Sequence, residues 1–135
     1  MIKKIWVATI MTLCLSAATS AQEFIEDVNY VRLGKPQAVQ TGDKIEVLEL
    51  FWYHCPHCFQ LEPYLNRWLK NSPDYIEYVR LPAVLTSSWE FDARVFYTVE
   101  ALGVTQTMHT AYFDAIHKDR KTFVTEEQVA SWAGE

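Results

Sequence analysis

Hydrophobic positions change their rhythm along this chain, and the changes mark out its elements. Residues 5–15 are almost uniformly apolar behind Lys3 and Lys4. Residues 26–33 carry a weaker mixture that fits a brief strand, and Gly34, Pro36 and Gly42 follow with loop chemistry. Residues 44–53, KIEVLELFWY, form a near-continuous run of β-branched, leucyl and aromatic side chains, short for a helix. Such a run predicts a central strand covered on both faces. The period then becomes helical: Cys58, Leu61, Leu65, Trp68 and Leu69 recur on one face. Pro56 suits the first turn of that helix, which should end near residues 71–73. Residues 75–81, YIEYVRL, return to a strand pattern. Strand, helix and strand in this order predict a βαβ unit with parallel strands.

Beyond Pro82 the pattern is helical throughout. Ser87 with Glu90 reads as a capping box, and Phe91, Val95, Val99 and Leu102 make a stripe that Gly103 closes. A second helix is predicted over 105–118, carrying Met108, Tyr112, Ala115 and Ile116. Thr125 with Gln128 repeats the capping pattern and opens a third helix with Val129 and Trp132. The chain is therefore read as an α/β protein in three parts. These are a leader over 1–21, a βαβ-containing part over 22–85, and a helical subdomain over 86–135.

The apolar run behind the two lysines is shorter than the roughly 20 residues a spanning helix needs. Small residues follow it, so it reads as a secretory signal cut after Ala21, with Thr19 and Ala21 forming the small-residue site. A retained anchor fails on length, and a lipoprotein reading of Cys14 fails on Leu13, where a small residue belongs. Cleavage leaves only Cys55 and Cys58 of the three cysteines. The formal charge of −5 becomes more acidic once the two leader lysines are gone, which argues against a nucleic-acid partner. An exported protein meets conditions in which disulfides persist. A bridge across two intervening residues is a poor staple, because it removes little entropy from the unfolded chain. It suits chemistry better.

The stretch FWYHCPHCF holds that chemistry. Covalent haem would need a histidine after the second cysteine, and residue 59 is phenylalanine. Structural zinc needs about four ligands, which His54, Cys55, His57 and Cys58 cannot readily wrap around one ion from a single strand-to-helix turn. His109 and His117 are read as ordinary helix-surface histidines, and Phe51, Trp52 and Tyr53 as packing residues. A redox pair fits better. Residues three apart on a helix share a face, which places Cys55 and Cys58 for a short disulfide. Cys55 falls at the helix N-terminus, where free N–H groups favour negative charge and lower a thiol pKa. His57 could add to this as a donor, and Cys58, one turn deeper, would be the shielded resolving thiol.

The segment VLELFWYHCPHCFQLEPYL resembles the active-site region of the DsbA family of bacterial periplasmic thiol–disulfide oxidoreductases, with their C-P-H-C centre. The resemblance continues through YVRLPAV, ALGV, AIHKDRKTF and EEQVASWAG. It implies a thioredoxin-like fold with a helical insertion. Cys55 would be the exposed attacking cysteine and Cys58 the buried one, with Pro56 and His57 between them. Glu49 matches the family's buried glutamate; it would accept the Cys58 proton, with desolvation raising its pKa, whereas a glutamate facing water would have no such role. The resemblance further implies newly exported, reduced polypeptides as substrates, the membrane protein DsbB as reoxidant, the periplasm as location, and no cofactor or metal. Family members continue into a cis-proline loop, a β-hairpin and a C-terminal helix, and no proline follows Pro82 here. The chain therefore reads as an incomplete member, a fragment or a truncated product, with unpaired sheet edges. Three alternatives remain: an isomerase or reductase of the same fold, an inactive chain that only binds polypeptides, and a metal-binding module.

Overall fold

The computed structural model describes residues 23–134, so the proposed leader, its cut near Ala21 and Cys14 lie outside the described residues. The described residues divide after Gln37 into two units. In the first, the strand expected over 26–33 is absent. The backbone turns instead: Val28 and Asn29 donate to the Ile25 carbonyl, and the Asn29 side chain accepts from Ile25 N–H at 3.0 Å. Asp27 takes a positive φ of 66°. Asp and Asn bond readily to nearby backbone, and this outweighs the modest β preference of Val28, Tyr30 and Val31.

The second unit opens with β1 (Ile45–Phe51), α1 (Pro56–Leu69) and β2 (Ile76–Pro82). The strands pair in parallel, from Ile45 beside Ile76 to Phe51 beside Pro82. Val47, Glu49 and Phe51 share one face with Tyr78, Arg80 and Pro82, because partners in register point the same way. Helix α1 covers this face, bringing Trp68 edge-on to Tyr78 and Glu62 onto Arg80. The opposite face is open among the described residues, with Leu48 44% and Leu50 63% exposed. Cover on both faces is thus found on one: an apolar run shows that cover suits a strand, not that the cover is present.

Three helices follow: α2 (Ser87–Ala101), α3 (Thr105–His117) and α4 (Glu126–Ala133). Helix α4 begins with the predicted capping box, Thr125 bonding Gln128 N–H while the Gln128 side chain reaches back. The box predicted at Ser87 does not form. Thr86 is the N-cap one residue earlier, and its hydroxyl meets Ser88 rather than a backbone amide. Gly103, at φ 72°, ends α2 in a conformation that a Cβ would strain. The core lies where the C-terminal end of β1 meets α2 and α3. Phe51, Tyr53, Phe96, Tyr112 and Phe113 are all at most 2% exposed and meet mainly edge to face. Phe123 stacks on Tyr112, while Val129 and Trp132 of α4 pack at the margin.

Candidate active site

The chain leaves β1 through a turn closed by Cys55 N–H on the Trp52 carbonyl, and α1 begins at once. Cys55 is the N-cap, with φ −79° and ψ 114°, and Pro56 occupies the first turn, where no N–H is needed. The Cys55 sulfur accepts from Cys58 N–H at 3.4 Å. Both cysteines are free thiols, so this is the geometry of the reduced pair.

The two sulfurs ionise differently. Partial burial works against the Cys55 thiolate, but the Cys58 thiol and the backbone amides of Cys58 and His57 outweigh it, holding Cys55 below its ordinary 9.0. Burial pushes Cys58 up to about 11; the Trp52 amide opposes this, while Cys55 and the charge of Glu49 add to it. His57 contributes through its backbone, its ring lying exposed on the first turn. A C-x-x-C pair at a helix start thus sets the more readily ionised sulfur outside and the one that holds its proton within.

Glu49 lies beneath, its side chain 10% exposed. Arg80 Nε approaches it at 3.3 Å, and the Tyr78 hydroxyl donates to it. It is neither a glutamate facing water nor an unpaired buried acid. Its charge is matched by the guanidinium paired in register across the sheet.

Arg80 also reaches Glu62 of α1, at 3.2 and 3.3 Å. Glu62 is only 4% exposed. Burial works to raise its carboxyl, and His109 and Arg80 outweigh this, keeping it below the usual 4.5. His109 overturns the surface reading. It is 2% exposed, with Nε2 3.2 Å from Glu62 and Nδ1 2.9 Å from the Tyr53 hydroxyl. A carboxylate only accepts, so Nε2–H donates to Glu62, while Nδ1 meets the Tyr53 hydroxyl. The signal was available: His109 precedes Tyr112, Phe113 and Ile116 by three, four and seven residues, which places it on the buried stripe. His117 is half-buried rather than on the surface; its Nε2–H donates to the Tyr53 carbonyl at 2.8 Å, and its ring stacks on Phe59.

Trp52 stacks on Trp89 of α2 with ring centroids 4.1 Å apart and planes 10° from parallel. His54, between this pair and Cys55, bonds Asp92 of α2. Glu62, Asp92, Arg80 and Tyr78 were all missed as site residues by sequence. Among the described residues, no group of three or more His, Cys, Asp or Glu side chains is arranged to hold a metal ion.

No family-wide sequence profile matches the chain. It is 46% identical over 103 residues to the thiol:disulfide interchange protein DsbA of Azotobacter vinelandii, covering 76% of this chain and 48% of that one. With DsbA of Pseudomonas aeruginosa the identity is 40% over 115 residues, covering 85% and 54%. The crystal structure of Pseudomonas aeruginosa DsbA superposes with a TM-score of 0.72 at 41% identity, covering 77% of this chain and 54% of that one. For reduced DsbA1 from Neisseria meningitidis the values are 0.74 and 31%, covering 83% and 60%. The chain spans about half the length of the curated relatives it matches. Over that half the chain shares the fold of solved DsbA proteins and is homologous to the DsbA proteins it matches.

Proposed function

We propose that the chain carries the redox half of a thiol–disulfide oxidoreductase that donates the Cys55–Cys58 disulfide to reduced polypeptides. The supporting observation is the contrast between the sulfurs: Cys55 on amide donors with a lowered pKa, Cys58 shielded at about 11. A substrate thiolate attacks the Cys55 sulfur, the Cys55–Cys58 bond breaks, and Cys58 leaves with the electron pair and takes a proton. A second substrate thiolate then attacks the substrate sulfur of the mixed disulfide, and Cys55 leaves as thiolate. The substrate loses two electrons and the chain gains them. Glu49, close enough for its charge to act on Cys58, is the proposed proton acceptor when the pair is reoxidised.

Stabilising the Cys55 thiolate favours the reduced form and so makes the disulfide a stronger oxidant. That property is already familiar in the DsbA family rather than deduced from this chain. The wider proposal places the protein in the periplasm after cleavage near Ala21, with newly exported polypeptides as substrates and DsbB as reoxidant. The division at residue 85 would separate the redox part from the helical insertion. The exchange needs no cofactor beyond the two cysteines.

The test mixes the oxidised chain with a reduced, unfolded substrate. Loss of substrate thiols should match the disulfide supplied and vanish in Cys55→Ser; thiol loss that persists in that variant would refute the proposal. Equilibration with glutathione separates donor from reductase, since a potential near the thioredoxin value of about −270 mV would reassign the direction. The open sheet face around Leu48 and Leu50 supports the second reading, simple polypeptide binding. Binding by a Cys55→Ser/Cys58→Ser variant with no exchange in the parent chain would favour it.

A further inference from the structure

The exchange just described leaves one contact beside the reactive cysteine without a part. His54 immediately precedes Cys55, and its Nδ1 lies 2.7 Å from Oδ2 of Asp92, a carboxylate with 3% of its side chain exposed. Asp92 belongs to α2, 38 residues along the chain. Its other oxygen accepts from the Tyr112 hydroxyl of α3 at 3.4 Å. A carboxylate so deeply placed is costly unless it is partnered, and these two groups are its partners. Trp52, stacked on Trp89, flanks the imidazole with ring centroids 5.4 Å apart. The ring is therefore held at one nitrogen and along one side.

Such a ring restrains the backbone that carries it. The next residue must keep φ −79° and ψ 114° if its sulfur is to receive Cys58 N–H. Hydrogen bonds weaken steeply as donor and acceptor lose alignment, so a modest rotation at residues 54–55 would carry the sulfur off its donors. We propose that the Asp92–His54 pair is a positioning device that ties the redox turn to α2 and keeps the Cys55 thiolate on the amides of α1. The proposal rests on the disulfide-exchange reading and extends it to a pair outside the C-P-H-C motif. His54 acts through the backbone of Cys55, so it is a positioning residue.

The groups facing the imidazole are Asp92 from α2, Tyr112 of α3 through that same carboxylate, and the Trp52 ring. The hydrogen bond that His54 donates to Asp92 raises the imidazole pKa above its ordinary 6.5, against burial, with the charge of Asp92 adding to it. The charged pair is thus complete below 6.5 and loses its charge as pH climbs through the raised value.

The test titrates Cys55 by thiolate absorbance in the reduced full chain, in wild type and in Asp92→Asn, His54→Phe and His54→Gln. Below the wild-type midpoint, Asp92→Asn and His54→Phe should lower the thiolate fraction by about threefold to tenfold, the scale of helix-terminus interactions. His54→Gln, which keeps a donor for Asp92, should recover most of it. The gap between wild type and Asp92→Asn should narrow as His54 deprotonates. Unchanged midpoints in folded variants, beside a low wild-type value, would overturn the positioning role and leave the exchange reading standing. A wild-type Cys55 titrating like free cysteine would remove the exchange reading itself. If Asp92→Asn does not fold, the two His54 variants decide, because that half-exposed ring can be replaced without opening the core.

Discussion

Two sulfurs one helical turn apart differ because one caps α1 and the other sits inside it. Iodoacetamide near neutral pH should therefore label Cys55 well before Cys58, which peptide mapping would show; equal rates would mean that the amides do not hold the thiolate. The same asymmetry sets a pH dependence. Cys55 has a folded value below its unfolded 9.0, so its contribution to the stability of the reduced chain is complete above 9.0 and is lost as pH falls through the folded value. Urea unfolding of the reduced chain against Cys55→Ser should converge on the acid side of that window. Glu62 makes a second demand. Glu62→Gln strips the charge that faces Arg80 and His109 while Arg80 keeps Glu49, and weakening such buried hydrogen bonds to charged groups costs about 1 to 3 kcal/mol. The denaturation midpoint should fall accordingly, and a change under about 0.5 kcal/mol, typical of surface sites, would contradict this burial.

Among the elements, the helix ends offer a paired comparison. Thr125→Ala removes a working cap from α4 and should cost about 1 kcal/mol by thermal or urea unfolding. Ser87→Ala should be close to neutral, because Thr86 is the cap and Ser87 is exposed on the first turn. The pattern S-x-x-E alone could not separate these cases, since Thr86 sits one residue before Ser87 with the same chemistry. Other boundaries were legible because a strong local signal set them. The apolar run gave β1 and Pro56 gave the start of α1. Residues 26–33 misled because Asp27 and Asn29 carry turn chemistry inside a weakly apolar stretch. The cysteine pair was visible in four consecutive letters. Its buried charges were not: Glu62 lies 18 residues from Arg80 and 47 from His109, and Asp92 lies 38 from His54. A charged letter suggests water until its partner is known, and only the fold brings these partners together.

At the scale of the whole second unit, the turn that carries the cysteines is built into the main core rather than laid on it. Phe51 and Tyr53 flank the exit from β1, and both are buried against α2 and α3. Apolar surface remains on the other side of the sheet, where Leu48 and Leu50 stand beside strand edges that are unpaired among the described residues. Leu50→Lys should reduce light scattering in concentrated solution while leaving the unfolding midpoint nearly unchanged; undiminished scattering would place self-association elsewhere. The stacked indoles have a use of their own. Trp52 comes from the turn, three residues before Cys55, and Trp89 from α2. Disulfides quench nearby indole emission more strongly than thiols do, and parallel aromatic chromophores couple their transitions. The protein thus carries an optical gauge of its own oxidation, readable by fluorescence and circular dichroism with no added dye.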